Sequence, residues 1–148
     1  MMDGIKIKGR VRLTIRDAAT GEVIKQTPWQ ENLVTTAGTV RFAELMRGGA
    51  SQGIAFCGVG DDDTPAAAGD TELGNELGRL PITDTSISTA TVTYSTFFGS
   101  ADCNGTWKEE GLMTEAVNGV LVCHFILASP EDKNATKTIT VDHELEVS

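Results

Sequence analysis

The chain has 148 residues, 40% of them apolar and 5% aromatic, and carries a formal net charge of −9 at pH 7. That length fits one domain able to bury a core without metal or disulfide staples. No run approaches the ~20 continuous apolar residues of a membrane span, and the overall acidity argues against general nucleic-acid binding, which depends on neutralising phosphates.

The first segment alternates from residue 5 to residue 16. Ile5, Ile7, Val11, Leu13 and Ile15 fall on one parity, and Lys6, Lys8, Arg10, Arg12, Thr14 and Arg16 on the other. Period two predicts a strand with one buried face and one basic face. Asp17 to Gly21 reads as a turn and Glu22 to Thr27 as the returning hairpin strand, ended by Pro28. Thr35 or Thr36 then caps a helix to about Arg47, with Val40, Phe42, Leu45 and Met46 as its apolar positions and Gly48-Gly49 as its stop. Ile54 to Val59 reads as a short buried strand, followed by a long polar loop containing Asp61-Asp62-Asp63 and Asp70. The rest is mostly strand. Ala90, Val92, Tyr94, Thr96 and Phe98 alternate with polar residues, Asn118-Gly119 suits a hairpin turn, and residues 120–127 are apolar on both parities, as in a central strand covered on both faces. In the last strand Ile139, Val141, His143, Leu145 and Val147 point inward. The expected architecture is mainly β: an antiparallel β-sandwich over residues 1–148, with jelly-roll-like wiring as a variant, one short helix and a long acidic loop.

Residues that carry chemistry are sparse. Cys57, Cys103 and Cys123 form no C-x-x-C pair, and an odd number closes no disulfide framework, so three reduced, mostly packed thiols are expected. The only histidines, His124 and His143, lie in strands without a G-x-S-x-G elbow, and neighbouring Cys123 and His124 point to opposite faces. No catalytic, cofactor-binding or metal-ligating constellation emerges. Gly58-Val59-Gly60 lacks the Gly-Lys-Ser/Thr ending of a phosphate loop. Three adjacent aspartates cannot all aim at one ion, so Asp61–Asp63 reads as a solvated acidic loop in preference to a weak calcium site. Asn134-Ala135-Thr136 matches a glycosylation sequon. The N-terminal residues lack the apolar core and small-residue cleavage site of a signal peptide, and synthesis in a cytoplasm is expected.

The charge is unevenly spread. Residues 1–50 hold eight Lys+Arg against five Asp+Glu, whereas residues 51–148 hold four against sixteen. Lys6, Lys8, Arg10, Arg12 and Arg16 on one strand face repel one another unless something acidic covers them. The acidic half of the chain, or of a neighbouring copy, lies across them, or they form a docking face for an acidic partner protein; nucleic-acid contact is the least favoured reading, since no aromatics are interleaved for base stacking.

Residues 32–79 resemble a block found in small structural proteins of tailed bacteriophages. Its elements here are Asn32-Leu33-Val34-Thr35 with Ala37-Gly38, a helix, Gly58 and Gly60, a Thr/Pro/Ala-rich stretch from Thr64 to Ala68, and Thr71-x-Leu73-x-x-Glu76-x-x-Arg79. Glu110-Gly111-Leu112 is similar to a segment that often follows in such proteins. The resemblance implies a virion component without catalytic residues, variously a tail, baseplate, fibre or capsid-decorating protein; a tail, baseplate or fibre position is slightly favoured over capsid decoration, and synthesis in the host cytoplasm is expected. Other virion proteins are the implied partners, with no membrane and no direct nucleic acid, and a homo-oligomer is expected. The competing class is a carbohydrate- or ligand-binding β-sandwich module, for which Trp29, Trp107 and Tyr94 would be stacking surfaces.

Overall fold

The computed structural model describes residues 6–49 and 52–148. Ile5, assigned above to the first strand, lies outside them. Ten strands and one helix follow in the order β1 (Ile7–Asp17), β2 (Val23–Gln26), β3 (Gln30–Val34), α1 (Thr36–Arg47), β4 (Phe56–Gly60), β5 (Glu76–Pro81), β6 (Asp84–Ser88), β7 (Thr91–Phe98), β8 (Gly105–Met113), β9 (Leu121–Lys133) and β10 (Lys137–Val147). The molecule is mainly β and antiparallel, with one helix.

Hydrogen bonds run through one curled sheet in the order β5-β4-β8-β9-β3-β1-β10-β7-β6, with β2 flanking β1. The turning point is β3. Its first residues, Gln30 to Asn32, pair with Val11 to Gly9 on β1, while Leu33 and Val34 pair with His124 and Cys123 on β9. One short strand thus bonds to both halves of the sheet, and the ladder is continuous where two separate sheets were expected.

The period-two patterns decide what faces inward. Val11, Leu13 and Ile15 on β1, Ile139 and Val141 on β10, and Phe98 on β7 are buried against Cys57 and Val59 of β4, Trp107 and Leu112 of β8, and Cys123 and Phe125 of β9. Both halves of the curled sheet therefore contribute to one core. Phe98 and Trp107 meet edge to face at 4.9 Å between ring centroids near its centre, a favourable aromatic geometry.

The helix ends match their sequence signals. The Thr35 hydroxyl accepts from the Gly38 amide at 2.9 Å and donates to the Leu121 carbonyl at 2.5 Å. Gly48 ends the helix in the left-handed region at φ 78°, which glycine adopts without strain. The packing face differs from the expected one. Val40 and Met46 are 52% and 82% exposed, and Gly38 is the only buried helix residue among those described. The helix approaches β9 so closely that a Cβ at Gly38 would overlap the Val122 backbone.

Sequence periodicity did not reveal β3, β5, β6 or the first half of β8. β5 and β6 are the outermost strands of the sheet; every residue of β6 is exposed, so no apolar alternation marks it. Pro81 is tolerated in β5 because that strand lies at an edge, where one row of amides has no ladder partner.

Candidate functional site

The basic face of β1 has its acidic counterpart alongside it. The β1–β10 register sets Lys8 opposite Glu146, Arg10 opposite Glu144, Arg12 opposite Asp142 and Arg16 opposite Thr138. Arg10 reaches Glu144 at 2.6 Å and Arg12 reaches Asp142 at 3.5 Å, while Arg16 donates to the Thr140 hydroxyl at 3.4 Å. Lys8 on the same strand and Lys6 just before it are exposed. Trp29 carries Arg10 and Arg12 over its ring, at 4.6 and 4.5 Å from the centroid, a cation–π arrangement. Charge asymmetry between the two ends of the chain thus becomes a cross-strand ladder.

The other residues singled out above fall in various settings. Trp107 is fully buried, its indole donating to the Cys103 carbonyl at 2.8 Å, and Tyr94 packs against the core. Neither offers a free stacking face. Asp61 lies 3.4 Å from Lys108, Asp62 accepts from the Thr64 amide, and Asp63 is exposed. The Asn134 side chain accepts from the backbone and hydroxyl of Thr136. Cys57 and Cys123 are buried free thiols and Cys103 is partly buried.

The most unusual chemistry lies inside the core, where consecutive residues of β8 send carboxylates to opposite faces. Glu110 enters the space between the two halves of the sheet and meets His143 of β10, with Nε2 2.5 Å from Oε2. The Cys57 thiol of β4 lies 3.7 Å from the same oxygen. On its other side, His143 Nδ1 faces the Asn32 amide of β3 at 3.1 Å and the Cys123 thiol at 3.9 Å. Glu110, His143, Cys57 and Cys123 are all fully buried. Burial disfavours the imidazolium, but the Glu110 carboxylate together with the Cys123 and Cys57 side chains outweighs it and holds the His143 pKa well above the usual histidine range. Burial pushes the Cys57 thiol up to about 12, so it remains protonated at neutral pH. Two polar atoms of this cluster, Glu110 Oε1 and Asn32 Oδ1, are buried without a hydrogen-bond partner.

On the opposite face, Glu109 meets His124 Nε2 at 2.9 Å, and His124 Nδ1 meets Asp70 at 2.7 Å. Glu109 also accepts from the Gly74 and Asn75 amides, each at 2.8 Å. These contacts fasten the latter part of the segment 61–75, which joins β4 to β5, onto the sheet. The backbone amide of Ala67, and after it His124, hold the Asp70 carboxyl below its usual pKa.

The sequence placed both histidines in strands and offered no ligand constellation. Both histidines are packed, yet each sits in a polar cluster assembled from distant strands. The one signal available was the pair Glu109-Glu110 inside a strand, since adjacent carboxylates there must go to both faces and at least one had to be buried. No protein-family model matches the chain, nor does any curated protein or solved structure.

Proposed function

We propose that this chain is a non-enzymatic structural component of a tailed-bacteriophage particle, assembling with other virion proteins near the tail, baseplate or fibre. The supporting observation is how the residues of the phage-like block are used: as fasteners. Thr35 caps the helix and bonds β9. Leu73 packs with Met113 and Leu121 in a second small apolar cluster. Glu76 grips Arg79 through two hydrogen bonds of 2.7 and 2.5 Å, and Arg79 in turn donates to the carbonyls of Glu115 and Asn118. Residues used in this way define a scaffold, and function then resides in what the scaffold's surface binds.

The curled sheet serves in this reading as a two-layered sandwich, with β4, β5, β8 and β9 as one layer and β1, β10, β7 and β6 as the other. Exposed apolar side chains support assembly: Val23 and Ile24 on β2 are 55% and 56% exposed, and Ile87 on the outermost β6 is 72% exposed. An unpaired edge strand bearing such residues invites pairing with another chain, and symmetric oligomers are the usual arrangement of repeated structural parts.

The deciding experiment is protein mass spectrometry on gradient-purified particles from a lysate of the producing phage, with immunogold labelling to locate the chain. Stoichiometric presence at the tail is the expected result. Labelling over the capsid lattice would favour a decoration role, and absence from particles together with a monomeric mass at high concentration would overturn the proposal.

A further inference from the structure

We propose that Cys57, Glu110 and His143 form a buried transition-metal site of the structural zinc type, which ties β4 and β8 in one half of the curled sheet to β10 in the other. Among the described residues these three are the one group of His, Cys, Asp or Glu side chains whose ligand atoms converge, all lying within 4.8 Å of one another and all fully buried. Sulfur, imidazole nitrogen and carboxylate together suit zinc and its neighbours in the first transition row, whereas calcium and magnesium require all-oxygen shells.

The distances allow it. Zinc takes thiolate at about 2.3 Å, and imidazole and carboxylate at about 2.0–2.2 Å, so a tetrahedral sulfur–oxygen edge spans about 3.6 Å. Cys57 Sγ lies 3.7 Å from Glu110 Oε2. His143 Nε2, held at 2.5 Å from that oxygen by a proton, must move away by about 0.9 Å when an ion replaces the proton. A fourth ligand position follows from the orphaned Glu110 Oε1, which a bidentate carboxylate would bring onto the ion.

The second orphan has a matching explanation. A histidine bound to metal through Nε2 carries its proton on Nδ1 and donates it to a neighbouring acceptor. Nδ1 here faces the Asn32 side-chain amide, whose Oδ1 has no partner. Turning that amide over gives the proton its acceptor and satisfies Oδ1. Loading displaces the thiol proton of Cys57 and the Nε2 proton of His143 to solvent, leaving a thiolate, a neutral imidazole and a carboxylate around the divalent ion. Because the site is sealed, the ion enters as the chain folds.

The test uses the full chain, unfolded in denaturant with chelator and reductant, freed of chelator, and refolded with one equivalent of Co²⁺. The expected result is one ion per chain, visible d–d bands of four-coordinate cobalt and a near-ultraviolet thiolate-to-cobalt band, all displaced by Zn²⁺. Chain refolded with Zn²⁺ should also melt higher than chain refolded with chelator. Cys57→Ser removes the thiolate band and Cys103→Ser keeps it. Asn32→Ala keeps the band while weakening affinity about 10–100-fold. Wild-type chain that refolds without the cobalt bands or a melting shift overturns the site, as does a thiolate band surviving in Cys57→Ser. Should Cys57→Ser fail to fold, the wild-type spectrum and the Asn32→Ala affinity decide.

Discussion

Removing the His143 imidazole alone would strand the fully buried Glu110 carboxylate without its partner. A buried charge that loses its partner costs about 3–5 kcal/mol, whereas replacing both members by apolar groups can be nearly neutral. With metal excluded by chelator, His143→Leu should therefore lower stability by about 3–5 kcal/mol. The double variant Glu110→Leu with His143→Leu should be the more stable of the two. A double-mutant cycle in urea measures this, and strictly additive costs would mean the two side chains do not interact. Gly111 and Gly38 express a different residue-scale constraint: a Cβ at Gly111 would overlap the Cys123 carbonyl, as one at Gly38 would overlap Val122. These glycines are required by the closeness of two backbones, independently of any turn.

At the scale of elements, α1 depends on its N-cap residue more than on its apolar stripe. Thr35→Ala removes the acceptor for the Gly38 amide and the donor to the Leu121 carbonyl, and the expected loss is about 1–2 kcal/mol. Thr35→Ser keeps the hydroxyl and should recover most of it; chemical denaturation followed by far-ultraviolet circular dichroism reports both. The segment 61–75 is held by carboxylates whose pKa values lie below the ordinary range: Asp62, through the side chain and amide of Thr64, and Asp70, through the Ala67 amide and His124. For a depressed carboxylate the stabilisation is present above the unfolded pKa, near ~3.9, and disappears as pH falls through the lower folded value. Hydrogen exchange in this segment should therefore rise between about pH 4 and pH 2 ahead of exchange in the core of β9. Asp70→Asn should show the loosened segment already at neutral pH. Equal protection of segment and sheet throughout the acid range would count against this account.

At the scale of the whole molecule, the basic strand is both part of the fold and part of the surface. Arg10→Glu with Arg12→Glu would set carboxylates opposite Glu144 and Asp142 and strip both cations from Trp29. Like charges directly opposite are unfavourable by up to roughly 1 kcal/mol each, so a destabilisation of about 1–2 kcal/mol is expected. Exchanging the charges across the ladder, with Glu144→Arg and Asp142→Arg added, should restore most of it. The same pairing makes Lys6 and Lys8 the better probes of docking. If this face meets an acidic partner, Lys6→Glu with Lys8→Glu should reduce co-sedimentation with particles while circular dichroism stays unchanged. Wild-type binding should also weaken as salt rises past about 0.1 M, where the screening length is about 10 Å. Normal co-sedimentation of the double variant across that salt range would move the docking surface elsewhere.

Local rules were enough for β1, the β1–β2 hairpin, α1 with both its caps, β4, β7 and β10. A strand half in a core must alternate, and a helix end must satisfy its amides within a few residues. Period two likewise placed Cys123 and His124 on opposite faces before any partner was known. β6 escaped because both of its faces are exposed and β5 because it is only half-buried, and the helix's packing face because a close backbone approach at one glycine replaced the usual apolar stripe. Of the clusters Cys57–Glu110–His143 and Asp70–Glu109–His124, local reading offered only the adjacent carboxylates Glu109 and Glu110. The clusters' members come from strands and loops brought together only by sheet order and by the fold-back at β3. Sequence determined which side each residue of a strand faces; tertiary structure alone decided which inward-facing residues meet, because that depends on which strands the curled sheet makes neighbours.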